Sequence, residues 1–293
     1  MPVKLKEPPK QGSQSSPNVG ATGNSEDPDK TSNKFQPLDT LSRFIDSLPQ
    51  PSSTCDSVSE LPDLCDWTTE HEAVVNKLAH LADQFVPGCF RKPIRFFWNN
   101  DLKIVQENDK TVCLGHGRFG HIILARNNIG NLFALKYFKR ERTPDDSPAG
   151  VGLGFVISEA GIQSRVSRRK VAPNFEGFAL LRYQTTYYKL VIVSEFIPAK
   201  QDCKKSLTLS TLCSDDSSRR RGGYPPLLLS HQYLRLLLSI TLRLRELAKS
   251  DVVHTDLKKD NIIVRIARDG SSLEPFIIDF GSGILDQVTG VPI

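Results

Sequence analysis

No stretch of about 18 consecutive apolar residues occurs in the 293-residue sequence, so no single hydrophobic helix is available to cross a bilayer. The apolar core of a secretory leader is missing as well: the chain opens MPVKLKEPPK, and Pro2 stands where myristoylation needs glycine. The six cysteines (Cys55, Cys65, Cys89, Cys113, Cys203 and Cys213) include no C-x-x-C pair, and no histidines stand at zinc spacing. Scattered thiols of this kind suit a reducing compartment, and the expectation is an intracellular protein, cytoplasmic or nuclear.

What is present describes a soluble globular chain with an unstructured portion: 24% charged and 39% hydrophobic residues. Residues 1–65 are rich in Ser, Pro, Gly, Asn and Asp, and bury too little to offset the entropy of ordering, so they read as a disordered tail. Residues 1–66 hold six basic and ten acidic side chains, −4 in all, which leaves +9 of the overall +5 for the remainder. That asymmetry suits acidic partners or a tail folding back on a basic face, or no more than a solvated surface. Within the tail, PLDTLSRFIDSL places Leu38, Leu41, Phe44, Ile45 and Leu48 at helical spacing, as in a short docking helix or a nascent one.

The apolar period of Thr68–Phe85 predicts an amphipathic helix ended by Pro87-Gly88, and Arg91–Ile104 leads into the first strands. Strands are expected over Val112–Leu114, His121–Arg126, Phe133–Tyr137, Gly177–Tyr183, Lys189–Phe196, Ile262–Ile266 and Phe276–Ile278. The run RTPDDSPAGVGLG reads as a loop, and Arg168-Arg169-Lys170 as a helix end rather than a nucleic-acid contact. Lys200–Tyr224 is polar, without an apolar period, and reads as a flexible insertion. From Pro226 to Lys249 the stripe Leu234, Leu237, Leu238, Leu242 and Leu247 predicts a buried helix.

The chemistry-bearing residues concentrate downstream. In VHTDLKKDN, Asp256 can accept a proton from a hydroxyl, Lys258 can neutralise charge on a moving phosphoryl group, and Asn261, with Asp279 of the following IDFG, supplies oxygen ligands of the kind Mg²⁺ prefers. Upstream, Leu114-Gly115-His116-Gly117-Arg118-Phe119-Gly120-His121-Ile122 is glycine-rich, and glycines let a backbone approach phosphates without a Cβ in the way. Phe119 would cap the tip of that loop. An alternating run then ends at Ala134-Leu135-Lys136, and Glu159 follows 23 positions later on a helical segment. Taken singly, each feature has an ordinary reading, such as a surface ion pair, a structural histidine at His254 or a tight turn at DFG.

Taken in order, H-x-D-L-x-x-x-N, D-F-G, G-x-G-x-x-G and A-L-K resemble the eukaryotic protein kinases over about residues 105–285. The resemblance implies an α+β, bilobal fold: a five-stranded antiparallel N-lobe (105–197) and an incomplete, mainly helical C-lobe (198–293) with an insertion at about 200–225, preceded by the tail and a lead-in at 66–104. It also implies an ATP- and Mg²⁺-dependent kinase acting on Ser or Thr hydroxyls of a protein substrate. Asp256 is then the base, Lys136 pairs with Glu159, and Asn261 and Asp279 hold the metal. Leu114, Gly115, Gly117, Phe119, Gly120, Ile122 and Ala134 line the nucleotide, as do Ser194, whose small side chain leaves an open back pocket, and the backbones of Glu195 and Ile197. The tail is where docking partners are expected.

Two departures stand out. Thr255 replaces the arginine that commonly pairs with an activation-loop phosphate, so activity is expected not to depend on that phosphate. The chain also ends 12 residues after Gly281, with no A-P-E segment. Hence a non-catalytic nucleotide-binding module, or a fragment, stays open beside the enzyme, as does a small-molecule phosphotransferase.

Overall fold

The computed structural model describes residues 38–48, 64–117, 120–138, 152–182, 188–223 and 226–285. Strict alternation organises its centre. Over LFALKYF the buried side chains are Phe133, Leu135 and Tyr137, every second residue, so Ala134 and Lys136 face the other side of the strand.

In chain order the elements are α1 (Asp39–Ser47), α2 (Glu70–Phe85), β1 (Phe96–Phe97), β2 (Leu102–Ile104), β3 (Gln106–Glu107), β4 (Lys110–Thr111), β5 (Cys113–His116), β6 (Gly120–Asn127), β7 (Leu132–Phe138), α3 (Leu153–Ser167), β8 (Phe175–Arg182) and β9 (Tyr188–Glu195). There follow α4 (Leu209–Arg221), α5 (Ser230–Ala248), β10 (Val252–Val253), β11 (Ile262–Ile266), β12 (Leu273–Ile277) and β13 (Ile284–Leu285), with short 3-10 turns at Lys259–Asn261 and Phe280–Ser282. The class is α+β, and among the described residues no helix is long and apolar enough to cross a membrane.

The main sheet has seven strands in the order β1-β8-β9-β7-β6-β2, with β5 also pairing to β6. It is mixed, not the five-stranded antiparallel sheet expected, for two reasons. β1 adds in parallel beside β8, and β2 and β5 pair with separate parts of the eight-residue β6. The parallel addition depends on Gly177. A Cβ there would lie 2.3 Å from the Arg95 carbonyl, and the φ of +152° suits only glycine. One sheet face buries Phe97, Ile123, Phe133, Leu135, Leu181 and Val193; the other packs Phe178, Leu180 and Ile192 against α2 and α3.

The segment after β9 departs from the sequence reading in three places. Residues 200–225, expected as a flexible insertion, contain α4, capped by the Thr208 side chain, which accepts from the Thr211 N–H. Leu212 and Asp216 turn inward on it, so one turn of helix buries what a period over the whole stretch does not show. The second departure is α1, in the stretch assigned to a disordered tail. Leu38, Leu41, Phe44 and Ile45 are buried there with Ala199, Leu207, Leu212, Leu236, Ile262 and Val264. Lys205 fixes its C-terminal end: the buried ammonium donates to the carbonyls of Ile45, Asp46 and Leu48, while Lys200 bonds Ser42 and pairs with Asp46. Four side chains at about 1.5–3 kcal/mol each are of the same size as the backbone entropy of nine ordered residues at roughly 1–2 each. The polar contacts at its end therefore decide whether α1 docks.

The third departure is in α5, which forms as expected but turned. Its inward residues are Tyr233, Leu236, Ile240, Leu244 and Leu247; of the expected stripe only Leu247 is among them, while Leu234, Leu237, Leu238 and Leu242 are 67%, 57%, 59% and 41% exposed. A helix with leucine on two faces fits either period, and packing chose the other face. Leu64 and Cys65, placed at the end of the tail, bond along β8 through Leu181 and Leu180. The remainder of residues 1–65 (1–37 and 49–63), Phe119, and most of the loop before α3 lie outside the described residues.

Candidate active site

β7 points Lys136 away from the sheet core, and α3 carries Glu159 on a helix that is mostly buried. The Lys136 Nζ donates to Glu159 Oε1 at 2.5 Å and to Asp279 Oδ1 at 2.8 Å, uniting groups 23 and 143 positions apart. The Lys136 and Glu159 side chains are only 15% and 4% exposed. This separates the contact from surface ion pairs, which rarely exceed about 1 kcal/mol. Burial works against the Lys136 ammonium, but the carboxylates of Glu159 and Asp279 outweigh it and hold the group above the ordinary lysine value. Burial pushes the Glu159 carboxyl up, and Lys136 draws it only part of the way back. Its second oxygen, Oε2, has no hydrogen-bond partner among the described residues and lies against Gly281, where a Cβ would come within 3.2 Å of it.

The Asp256 loop is built from main-chain bends and local bonds. Thr255 has a φ of +56°, rare for a β-branched residue, and its hydroxyl donates to the Ser282 carbonyl at 2.6 Å. Asn261 is buried and donates through Nδ2 to the Asp256 carbonyl at 2.9 Å and to Asp256 Oδ2 at 3.3 Å. Lys258 donates to the same Oδ2 at 2.7 Å. That bond leads the effects that hold the Asp256 carboxyl below the ordinary aspartate value, and Asp256 in turn raises Lys258.

Strand pairing brings this loop to Asp279. β11 and β12 pair from Ile262 opposite Ile277, and the Ile278 N–H donates to the Asn261 carbonyl at 3.0 Å. His254 Nε2 bonds the Ile278 carbonyl at 2.9 Å, and its ring packs 4.9 Å from that of the buried Phe280. His254 is thus a structural strut between the two segments. Asp279 itself sits in the left-handed region, φ 65° and ψ 65°, where a residue with a Cβ pays roughly 1 kcal/mol or more.

Across the sheet, Leu114, Gly115, Gly117, Gly120 and Ile122 lie on or between β5 and β6, and the Gly117 N–H donates to the Gly120 carbonyl at 2.9 Å. Ala134 pairs in register with Ser194. The expected open pocket behind Ser194 is crossed by Gln163 of α3, whose Nε2 donates to the Ser194 hydroxyl at 2.9 Å and to the Pro173 carbonyl at 3.1 Å. The Glu195 N–H is taken by the Asn174 carbonyl, and the Ile197 carbonyl accepts from Ser206. The Ile197 N–H has no acceptor among the described residues.

Among the described residues no three His, Cys, Asp or Glu side chains are placed to hold a metal by themselves. The oxygens at the junction of the two segments are Asp279 Oδ2 and Asn261 Oδ1, neither of which receives a hydrogen bond from the described residues. Both are hard donors.

The fold therefore gathers Lys136, Glu159 and Asp279 at one point and Asp256, Lys258 and Asn261 beside it, with Ser194, Glu195 and Ile197 at the end of β9. Two contributors escaped sequence reading. Gln163 stands one helical turn beyond Glu159, a spacing that places it on the same face, and Thr255 was visible only as a missing arginine. No known protein-family profile matches this chain, and no curated protein matches it.

Proposed function

We propose that this protein is an ATP-dependent phosphotransferase of bilobal, protein-kinase-like architecture that moves the γ-phosphoryl group of ATP to Ser or Thr hydroxyls of a protein. The observation that carries the reading is the Lys136 ammonium bonded at once to Glu159 and Asp279. A surface ion pair needs no such arrangement; an amine held between a buried carboxylate and a half-exposed one is fixed in place, positioned to meet a negatively charged ligand.

On this reading the backbone at Gly115 and Gly117 admits the phosphates: a Cβ at either position would meet nothing within 4 Å among the described residues, and glycine leaves the approach unobstructed. The free Ile197 N–H and the Glu195 carbonyl are the donor and acceptor for the base. Lys136 neutralises the α and β phosphates, and Glu159 on α3 fixes where its Nζ stands. Asp279 Oδ2 and Asn261 Oδ1 fit Mg²⁺, which takes one or two protein oxygens and completes its shell with phosphate and water. Bound there, the ion supplies charge neutralisation on the phosphates. Asp256, kept ionised by Lys258, accepts the hydrogen bond of the attacking hydroxyl, and Lys258 lies beside it to offset charge on the transferred group.

The test is thermal stabilisation by Mg-ATP, with Lys136→Met and Asp279→Asn alongside, followed by phosphotransfer to a Ser/Thr peptide. At 100 times its dissociation constant, a ligand of the folded state adds about 2.7 kcal/mol. Stabilisation of the wild type alone, with peptide phosphorylation that Asp256→Asn abolishes, is the expected result. Stabilisation without transfer to peptide or to a small alcohol would reduce the protein to a nucleotide-binding module, and no stabilisation at all would remove the reading.

A further inference from the structure

Behind the end of β9, apart from the Lys136 site, lies a cavity of about 600 Å³. That is within the range of small-molecule sites. Six cations line it: Arg91, Arg95, Arg168, Lys170, Arg243 and Arg265, against the carboxylates of Glu176, Glu195 and Glu274. Their partners show which charges are spoken for. Arg265 donates to Glu274 at 2.7 Å and stands 3.8 Å from Glu195, the Arg168 guanidinium is used by the carbonyls of Gly88 and Cys89, and Arg95 lies over the Phe97 ring. Arg91, Lys170 and Arg243 have no carboxylate partner among the described residues. They come from three separate parts of the chain, the lead-in to β1, the turn after α3 and the middle of α5, and the fold directs them to one space. Ser164, Ser167 and Asn174 add polar groups to the same wall, and Phe175 and Phe276 give it an apolar side.

We propose that this cavity binds an anion carrying two or more phosphate groups. Unpaired guanidinium groups match phosphate oxygens with paired donors, which a single carboxylate satisfies less fully. The volume also exceeds what one phosphate fills. The phosphates arrive either on a small polyphosphate or on phosphorylated side chains of a peptide, and the cations treat both alike. Glu195, the last residue of β9, also lines this cavity.

Arg91 and Lys170 are exposed, so Arg91→Gln/Lys170→Gln leaves the core untouched. The experiment is calorimetric titration of the full chain, without nucleotide, with tripolyphosphate and separately with a doubly phosphorylated serine peptide. Binding of either probe that weakens at least about tenfold in the double variant is expected, and which probe binds tells the two sources apart. Absence of binding by both, or a dissociation constant unchanged in the double variant, overturns the proposal. Both titrations are run in the Lys136→Met background, so that phosphate binding at the Lys136 site does not enter either result.

Discussion

Gly115, Gly117 and Gly120 stand within six residues of one another and carry different burdens. At Gly120 a Cβ would lie 1.9 Å from the Tyr137 carbonyl, so glycine is needed for the β6–β7 pairing itself. At Gly115 and Gly117 a Cβ would meet nothing within 4 Å among the described residues, and φ is not in the left-handed region. Gly120→Ala is accordingly expected to cost about 1–3 kcal/mol or more in urea denaturation. Gly115→Ala and Gly117→Ala should stay within about 0.5 kcal/mol of wild type in stability and, on the proposed kinase reading, weaken Mg-ATP binding about tenfold, or 1.4 kcal/mol. Full nucleotide affinity in both would mean that the backbone over this strand does not approach a phosphate. In sequence the three glycines look alike, because what distinguishes them is a neighbouring strand's carbonyl. Lys136, Glu159, Asp256, Asn261 and Asp279 were legible, since their chemistry is specific and their order constrained. The Thr255–Ser282 and Gln163–Ser194 bonds were not, since a hydroxyl or an amide has many possible partners until the fold brings one near.

At the scale of elements, α1 and α5 show the limits of periodicity from opposite sides. The helical spacing of Leu38, Leu41, Phe44 and Ile45 was plain, but whether the helix docks is settled by Lys205, about 160 residues away, where no local pattern points. In α5 the leucines were plain and the face was not. The structure separates the alternatives sharply enough to measure. Ile45→Ala and Leu236→Ala, at fully or almost fully buried positions, should each cost about 2–4 kcal/mol in chemical denaturation. Leu238→Ala, more than half exposed, should stay within about 0.5 kcal/mol. Lys205→Met should cost about 1–3 kcal/mol, since it leaves three carbonyls at the end of α1 without their buried donor. A Leu238→Ala variant as unstable as Leu236→Ala would mean that the outer leucine face of α5 is covered in solution.

For the whole molecule, the question is how the sheet with α2 and α3 is held to the part built from α1, α4, α5 and the β11–β12 pair. After β9 the main chain passes from one to the other, and side chains tie them: Lys136 to Asp279, Arg265 to Glu195, Arg165 to Asp251, Arg169 to Glu246, and Leu247, Ile277 and Phe280 set among Ile162, Val166 and Val171. The order of motifs along the sequence made the first tie legible; the mixed sheet and the α1 clamp depend on contacts between distant segments and were not. The turn after Asp279 is held by a neutral bond, Thr255 to the Ser282 carbonyl, at the position where a cation–phosphate pair was the alternative. A neutral bond of this kind is present whatever the phosphorylation state, whereas an arginine there gains its partner only when a phosphate is added. On the proposed kinase reading, phosphatase treatment of the purified protein, checked by mass spectrometry for complete removal, should leave the peptide phosphorylation rate within about twofold. Thr255→Val should lower the rate without making it phosphate-dependent, because it removes the bond and supplies no cation. A loss of about tenfold or more on dephosphorylation would show that the turn after Asp279 is ordered by phosphate through another basic side chain.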